Sequence, residues 1–313
     1  MIRLYFGISD DGRRAMTQAE RRLYLIRELL KEENGNAGFK PGLMTGNDGD
    51  FVIPADEREQ RDMLRALMNV REPLPVSDEF LKIQDEYLQQ VNKERGITDI
   101  ADLKPTERNP KFYLWQGDIT TLKVDAIVNA ANSALLGCFA PLHICIDNCI
   151  HTFAGVQLRA ECNRQMTKLR DKYGADYEQP TAVPMLTDAY NLPAKKIVHI
   201  VGPIVEDRLT PALEQDLADC YRNTLDLCAE NALRSVAFCC ISTGVFRFPN
   251  QRAAEIAVET VSHWLAEHKG RIDRVIFNVF KDEDRAYYEE RLHESAERLS
   301  GIDPERPCSR SRV

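Results

Sequence analysis

From Lys111 onward the chain alternates short apolar runs with longer amphipathic stretches, and this alternation limits the fold more than any other feature of the sequence. Short apolar runs bounded by turn residues read as buried strands, and longer runs of helical period read as covering helices. Together they specify an α/β layer domain. Strands are expected at Phe112 to Trp115, Ala126 to Asn129, Lys196 to Val201, Ser235 to Cys240 and Arg274 to Val279. Helices are expected at Asp147 to Arg170, Ala212 to Asn231, Arg252 to Glu267 and Asp284 to Leu299.

The first hundred or so residues have a different pattern. Thr17-Gln18-Ala19-Glu20 is a capping box, followed at helical spacing by Leu23, Ile26, Leu29 and Leu30 up to Asn34-Gly35. The Gly- and Asn-rich segment from Asn34 to Asp50 reads as a flexible insertion. A second helix carries Met63, Leu64, Leu67, Met68 and Val70 and stops before Pro73-Leu74-Pro75. A third begins at Ser77 or Asp78 and presents Phe80, Leu81, Gln84, Tyr87, Leu88 and Val91 on one stripe. The expected organisation is a helical N-terminal extension over residues 1–105, a layered domain over 106–300 and a flexible tail over 301–313.

A net charge of −8 and a pI near 5.4 oppose general nucleic-acid binding, which draws on Lys and Arg to displace counterions. No apolar run is long enough to span a bilayer, and the first thirty residues lack a signal-peptide core. Nine cysteines without framework spacing fit reduced thiols, and the expected location is the cytoplasm.

Chemistry is concentrated between Asn129 and Gly155, NAANSALLGCFAPLHICIDNCIHTFAG. Cys138, His143 and Cys145 form a C-x4-H-x-C run, and Asp147 with Asn148 opens the next helix. Two thiolates and an imidazole suit zinc, and three protein ligands with an open fourth position mark a catalytic site. Cys149 or His151 is a candidate fourth ligand, and the competing reading is that these cysteines are small buried apolar groups.

Four blocks flank and follow this loop: Gly117-Asp118-Ile119-Thr120, Val124 to Asn132, Ile150 to Gly155, and Ile241-Ser242-Thr243-Gly244-Val245-Phe246-Arg247-Phe248-Pro249. In this order they resemble the signature of macrodomains. Where hydrolytic macrodomains carry a run of glycines, this chain has Gly137 to Cys145. In that respect, and in its N-terminal extension, it resembles the zinc-containing branch of ADP-ribosyl hydrolases associated with class M sirtuins. The resemblance implies a three-layer α/β/α fold with a mixed central sheet. It also implies zinc held by Cys138, His143 and Cys145, and removal of mono-ADP-ribose from a modified protein, with a lipoyl-carrier protein modified by a partner sirtuin as the expected substrate.

Site roles follow from residue chemistry and from that resemblance. Asp118 can accept from the exocyclic amine of adenine, with the Ile119 amide beside it, or it can cap the following turn. Successive amides of Ser242, Thr243, Gly244, Val245 and Phe246 can cradle a diphosphate, with Gly137 across the groove. Asn132 can hold a ribose hydroxyl pair or form a turn. Asp147 is the carboxylate for activating water or orienting the ribose, or else an N-cap. His151 is expected to pack or to bond the backbone, and His199 to be a satisfied core histidine. Phe280 is divided between adenine stacking and core packing, and Arg247 is placed near the outer ribose. The same groove would serve a non-catalytic ADP-ribose reader or an O-acetyl-ADP-ribose deacetylase.

Overall fold

The computed structural model describes residues 15–35 and 52–293. Three helices come first: α1 (Gln18–Gly35), α2 (Glu57–Val70) and α3 (Asp78–Glu94). Their starts are written locally. The Thr17 amide donates to Glu20 Oε2 at 2.7 Å and the Glu20 amide to Thr17 Oγ1 at 3.2 Å, while Asp56 caps α2 and Ser77 caps α3. Leu25 with Ile26 and Leu29 faces inward, so the first stripe turns on Leu25, and Leu23 is only half-buried. Residues 36–51 and 294–313 lie outside the described residues, and with them most of the expected insertion, the end of the last helix and the tail.

The six-stranded sheet comprises β2 (Phe112–Gln116), β4 (Ala126–Ala131), β5 (Met185–Asp188), β6 (Lys196–Val201), β7 (Ser235–Phe238) and β8 (Arg274–Val279). Its order is β2-β8-β7-β4-β6-β5. Only β5, which the sequence reading missed, runs antiparallel, so the sheet is mixed. A short parallel pair, β1 (Thr98–Asp99) with β3 (Leu122–Lys123), was also not foreseen.

Helices α4 (Ile146–Ala154), α5 (Val156–Tyr173), α6 (Pro211–Glu230), α7 (Asn250–Glu267) and α8 (Asp282–His293) cover the sheet in an α/β/α arrangement. Central strands buried on both faces need continuous apolar runs, and Ala126, Ile127, Val128, Ile197, Val198, Ile200, Val236, Val275 and Ile276 are all fully buried. Each large apolar side chain so buried contributes about 1.5–3 kcal/mol before entropy is counted. The helices α1 to α3 have their own cluster around Leu25, Leu64, Leu67, Phe80 and Leu88, and Val156 of α5 joins it.

The expected helix from Asp147 to Arg170 is two helices. Gly155 separates them at φ +103, and a Cβ there would stand 2.7 Å from Gln157 Oε1 and 2.8 Å from Gln84 Nε2. The break lets α4 point its amino end at the loop after β4 while α5 runs along the sheet. Because β2, β8, β7 and β4 are parallel, the loops that leave their carboxyl ends share one rim, where open α/β sheets bind ligands.

Candidate functional site

The loop from Asn132 to Cys145 joins β4 to α4 and carries the three candidate metal ligands. The ligand atoms of Cys138, His143 and Cys145 all lie within 4.8 Å of one another, with Cys138 Sγ 3.5 Å from His143 Nδ1. In a tetrahedral zinc site the usual bond lengths put sulfur and nitrogen about 3.6 Å apart, so the donor set and its spacing fit zinc. Among the described residues no fourth Cys, His, Asp or Glu ligand atom joins this group. Cys149 instead receives Arg65 Nη2 at 3.6 Å, and His151 is buried elsewhere. The fourth position is therefore left to substrate or water if zinc binds.

Cys145 is also the N-cap of α4. Its Sγ accepts the Asn148 amide at 3.4 Å, so Asp147 is not the cap. Burial pushes the Cys145 thiol up to about 12, with the Asn148 amide opposing and Cys138 adding to it. A bound dication would reverse that preference by favouring thiolate.

Asp147 turns inward and is 5% exposed. Asn129 Nδ2 donates to its Oδ1 at 2.8 Å and also meets His199 Nδ1 at 3.0 Å. Burial raises the Asp147 carboxyl to about 6 against the pull of that amide. His199 is a satisfied core histidine, as expected: Nδ1 receives the Asn129 amide, so Nε2 carries the proton and donates to Thr187 Oγ1 at 2.9 Å. That tautomer argues against a second metal site at His151, Cys162 and His199, whose atoms also lie within 4.8 Å of one another. His151 packs without hydrogen bonds at either ring nitrogen, with Asp147 Oδ1 3.6 Å away, so the alternative of a backbone bond is not realised.

Asn132 shapes its own loop. Its Oδ1 accepts the Ala134 amide and its Nδ2 donates to the Gly137 carbonyl, both at 3.1 Å. Gly137 stands at φ +84, where a Cβ would lie 2.8 Å from the His151 ring. Asp118 caps the Ile119–Thr121 turn by accepting from Thr120 N at 2.9 Å, and it pairs with Arg95. The capping role is thus present whatever else Asp118 does. The Ile119 side chain is buried.

In the loop after β7, Ser242 holds φ +65 with its hydroxyl buried and unpartnered. The amides of Gly244, Val245 and Phe246 have no hydrogen-bond partner among the described residues, whereas the Arg247 and Phe248 amides close the turn on Gly244 O and Ser242 O at 3.0 Å. Space over Gly244 is open within 4 Å of where a Cβ would stand. Such a run of free amides forms an anion nest. Thr243 is half-buried and bonds Cys240 O, and Val245 is 76% exposed. Phe280 is 74% exposed, which removes the core-packing reading for it.

Sequence reading passed over Asn129 as a strand residue and did not connect it with Asp147. An amide residue inside the apolar run Ala126 to Ala131 was the available signal, since a polar group in a strand covered on both faces needs a partner.

The Macro domain family profile matches residues 128–257. A protein of Treponema medium named protein-ADP-ribose hydrolase is 51% identical over 275 residues, spanning 87% of this chain and 98% of its own. A Staphylococcus aureus protein of the same name is 44% identical over 275 residues, spanning 88% of this chain and 96% of its own. A Trypanosoma brucei macrodomain solved in complex with ADP-ribose superposes with a TM-score of 0.55 at 29% identity, covering 72% of this chain and 94% of that one. With this identity along nearly the whole length of those relatives, and with the same layered sheet, the chain belongs to the Macro domain family.

Proposed function

We propose that this hydrolase is a zinc-dependent protein ADP-ribosyl hydrolase that removes mono-ADP-ribose from a modified protein. The observation that carries the reading is the sharing of one rim by the Cys138, His143 and Cys145 donors and the free amides of Gly244 to Phe246. The names of the Treponema and Staphylococcus relatives agree with it.

In this reading Asp118 and the Ile119 amide receive adenine, Gly137 and the Ser242 to Phe246 loop hold the diphosphate, and Asn132 orients the terminal ribose. Hydrolysis breaks the bond from the ribose anomeric carbon to the protein side chain. Water supplies hydroxyl to that carbon and a proton to the departing side chain. Asp147 is the carboxylate that takes the water's proton or fixes the ribose. Zinc, when bound, supplies Lewis-acid polarisation of an oxygen at its open position. The resemblance to the sirtuin-associated branch makes a lipoyl-carrier protein the first substrate to try, and the free cysteines among the described residues fit a cytoplasmic location.

The test is release of labelled ADP-ribose from an automodified protein, with and without chelator, for the parent and for Asp147→Ala. Loss of release with chelator and in the variant, with ADP-ribose binding retained, is expected. Binding without release by the parent would make the protein a reader. Faster turnover of O-acetyl-ADP-ribose than of modified protein would move the substrate to that ester.

A further inference from the structure

Two side chains of α2, outside the residues matched by the family profile, reach into the metal-ligand loop. Arg65 Nη2 donates to the His143 carbonyl at 2.8 Å and to Asn148 Oδ1 at 3.0 Å. One helical turn later, Asn69 Oδ1 accepts the Leu142 amide at 3.0 Å and Asn69 Nδ2 donates to Thr152 Oγ1 at 2.9 Å. The i, i+4 spacing puts both on one face of α2, while Leu64, Leu67 and Met68 turn to the helical cluster.

Asn148 passes the contact on. Its Nδ2 donates to Cys138 O at 3.3 Å and Ala140 O at 3.0 Å, and its backbone amide donates to Cys145 Sγ. Between them Arg65 and Asn148 bond to each of the three candidate ligands, His143 through its carbonyl, Cys138 through its carbonyl and Cys145 through its sulfur. Leu142, next to His143, is a non-glycine at φ +58. A residue held in that region costs free energy and persists only where its surroundings over-determine it. Here Asn69 holds Leu142 on one side and Arg65 holds His143 on the other.

We infer that Arg65 and Asn69 are positioning residues for the zinc loop, so that the helical N-terminal segment is a working part of the metal site. The inference rests on the zinc reading above. Groups that orient metal ligands from behind contribute to metal affinity without touching the ion. One nitrogen, Arg65 Nη2, serves both oxygens and also faces Cys149 Sγ at 3.6 Å, and the planar guanidinium fixes the directions of its N–H groups where an ammonium rotates freely.

The full chain tests this in three variants: Arg65→Ala, Arg65→Lys and Asn69→Ala. Zinc affinity is measured by competition with a colour-forming chelator, and cobalt(II) absorption in the same site reports ligand geometry. Arg65→Ala is expected to weaken zinc binding about ten- to hundredfold and to alter the thiolate-to-cobalt bands, with the circular dichroism of the metal-free chain unchanged. Arg65→Lys should fall between the parent and Arg65→Ala, and it carries the test if the alanine variant does not fold. Parental zinc affinity and parental cobalt bands in the Arg65 variants overturn the inference. A parent chain that retains no zinc overturns the function reading as well, so the two failures are told apart.

Discussion

Replacing Asn129 with leucine is the sharpest probe of the polar centre beneath the rim. The substitution keeps the branched outline of the side chain, though leucine is the bulkier, and removes one amide that serves two acceptors, Asp147 Oδ1 at 2.8 Å and His199 Nδ1 at 3.0 Å, in a region where Asn129 and His199 have no exposed surface. The bond to a carboxylate contributes about 1.5–3 kcal/mol, and an unpaired buried imidazole nitrogen costs about 1–3 kcal/mol. Against this, Asn129 Oδ1 is itself buried without a partner, and leucine removes that penalty of about 1–3 kcal/mol. The two like penalties offset each other, and the balance is a loss of about 1.5–3 kcal/mol. It is bounded because Asp147, already raised to about 6 by burial, can protonate when its donor disappears. Urea denaturation of metal-free Asn129→Leu near neutral pH measures the loss, and release of labelled ADP-ribose should fall while ADP-ribose binding persists. A loss under about 1 kcal/mol would refute the reasoning, since it is no larger than an ordinary surface change.

Acid should destabilise the metal-free fold. Burial holds His199 at about 3 and His151 well below 6.5, so as pH falls below 6.5 the unfolded chain takes up protons that the native chain does not. Stability is then full above pH 6.5 and declines toward pH 3 by up to about 1.4 kcal/mol per pH unit for each histidine. Asp147 has the opposite sign, because its raised carboxyl binds a proton in the native state first, and it offsets part of the decline between pH 6 and 4. Denaturation midpoints measured across that range check the slope, which His199→Gln should flatten. Gly137→Ala forces a side chain at φ +84 against the buried His151 ring, so a cost of about 2–4 kcal/mol and weaker zinc binding are expected, read by denaturation and chelator competition.

The parallel strands were legible because burial on both faces writes itself as uninterrupted apolar runs, and the starts of α1 and α3 because Thr17 with Glu20 forms a capping box and Ser77 is a capping residue. The edge strand Met185–Asp188 was not, since four residues ending in an aspartate carry no period of their own and pair only through β6. The break at Gly155 had a visible marker, but its cause is the crowd formed by Gln84, Gln157 and Asn191, two of them distant in sequence. The metal trio could be read because its members are neighbours in the chain. Its ties to Arg65 and Asn69 could not, because they span more than seventy residues and arise only when α2 docks on α4.

Asn129 and His199 are direct partners in the parallel pairing of β4 with β6. Side chains alternate between faces along a strand, so a slip of one position would swing the amide to the opposite layer and leave the imidazole among hydrocarbon neighbours. Wrong alignments of these two strands, apolar but for this pair and Lys196, are thereby penalised during assembly. One polar pair acts as the registration pin of the sheet, and the carboxylate it aligns inherits its position from that pin.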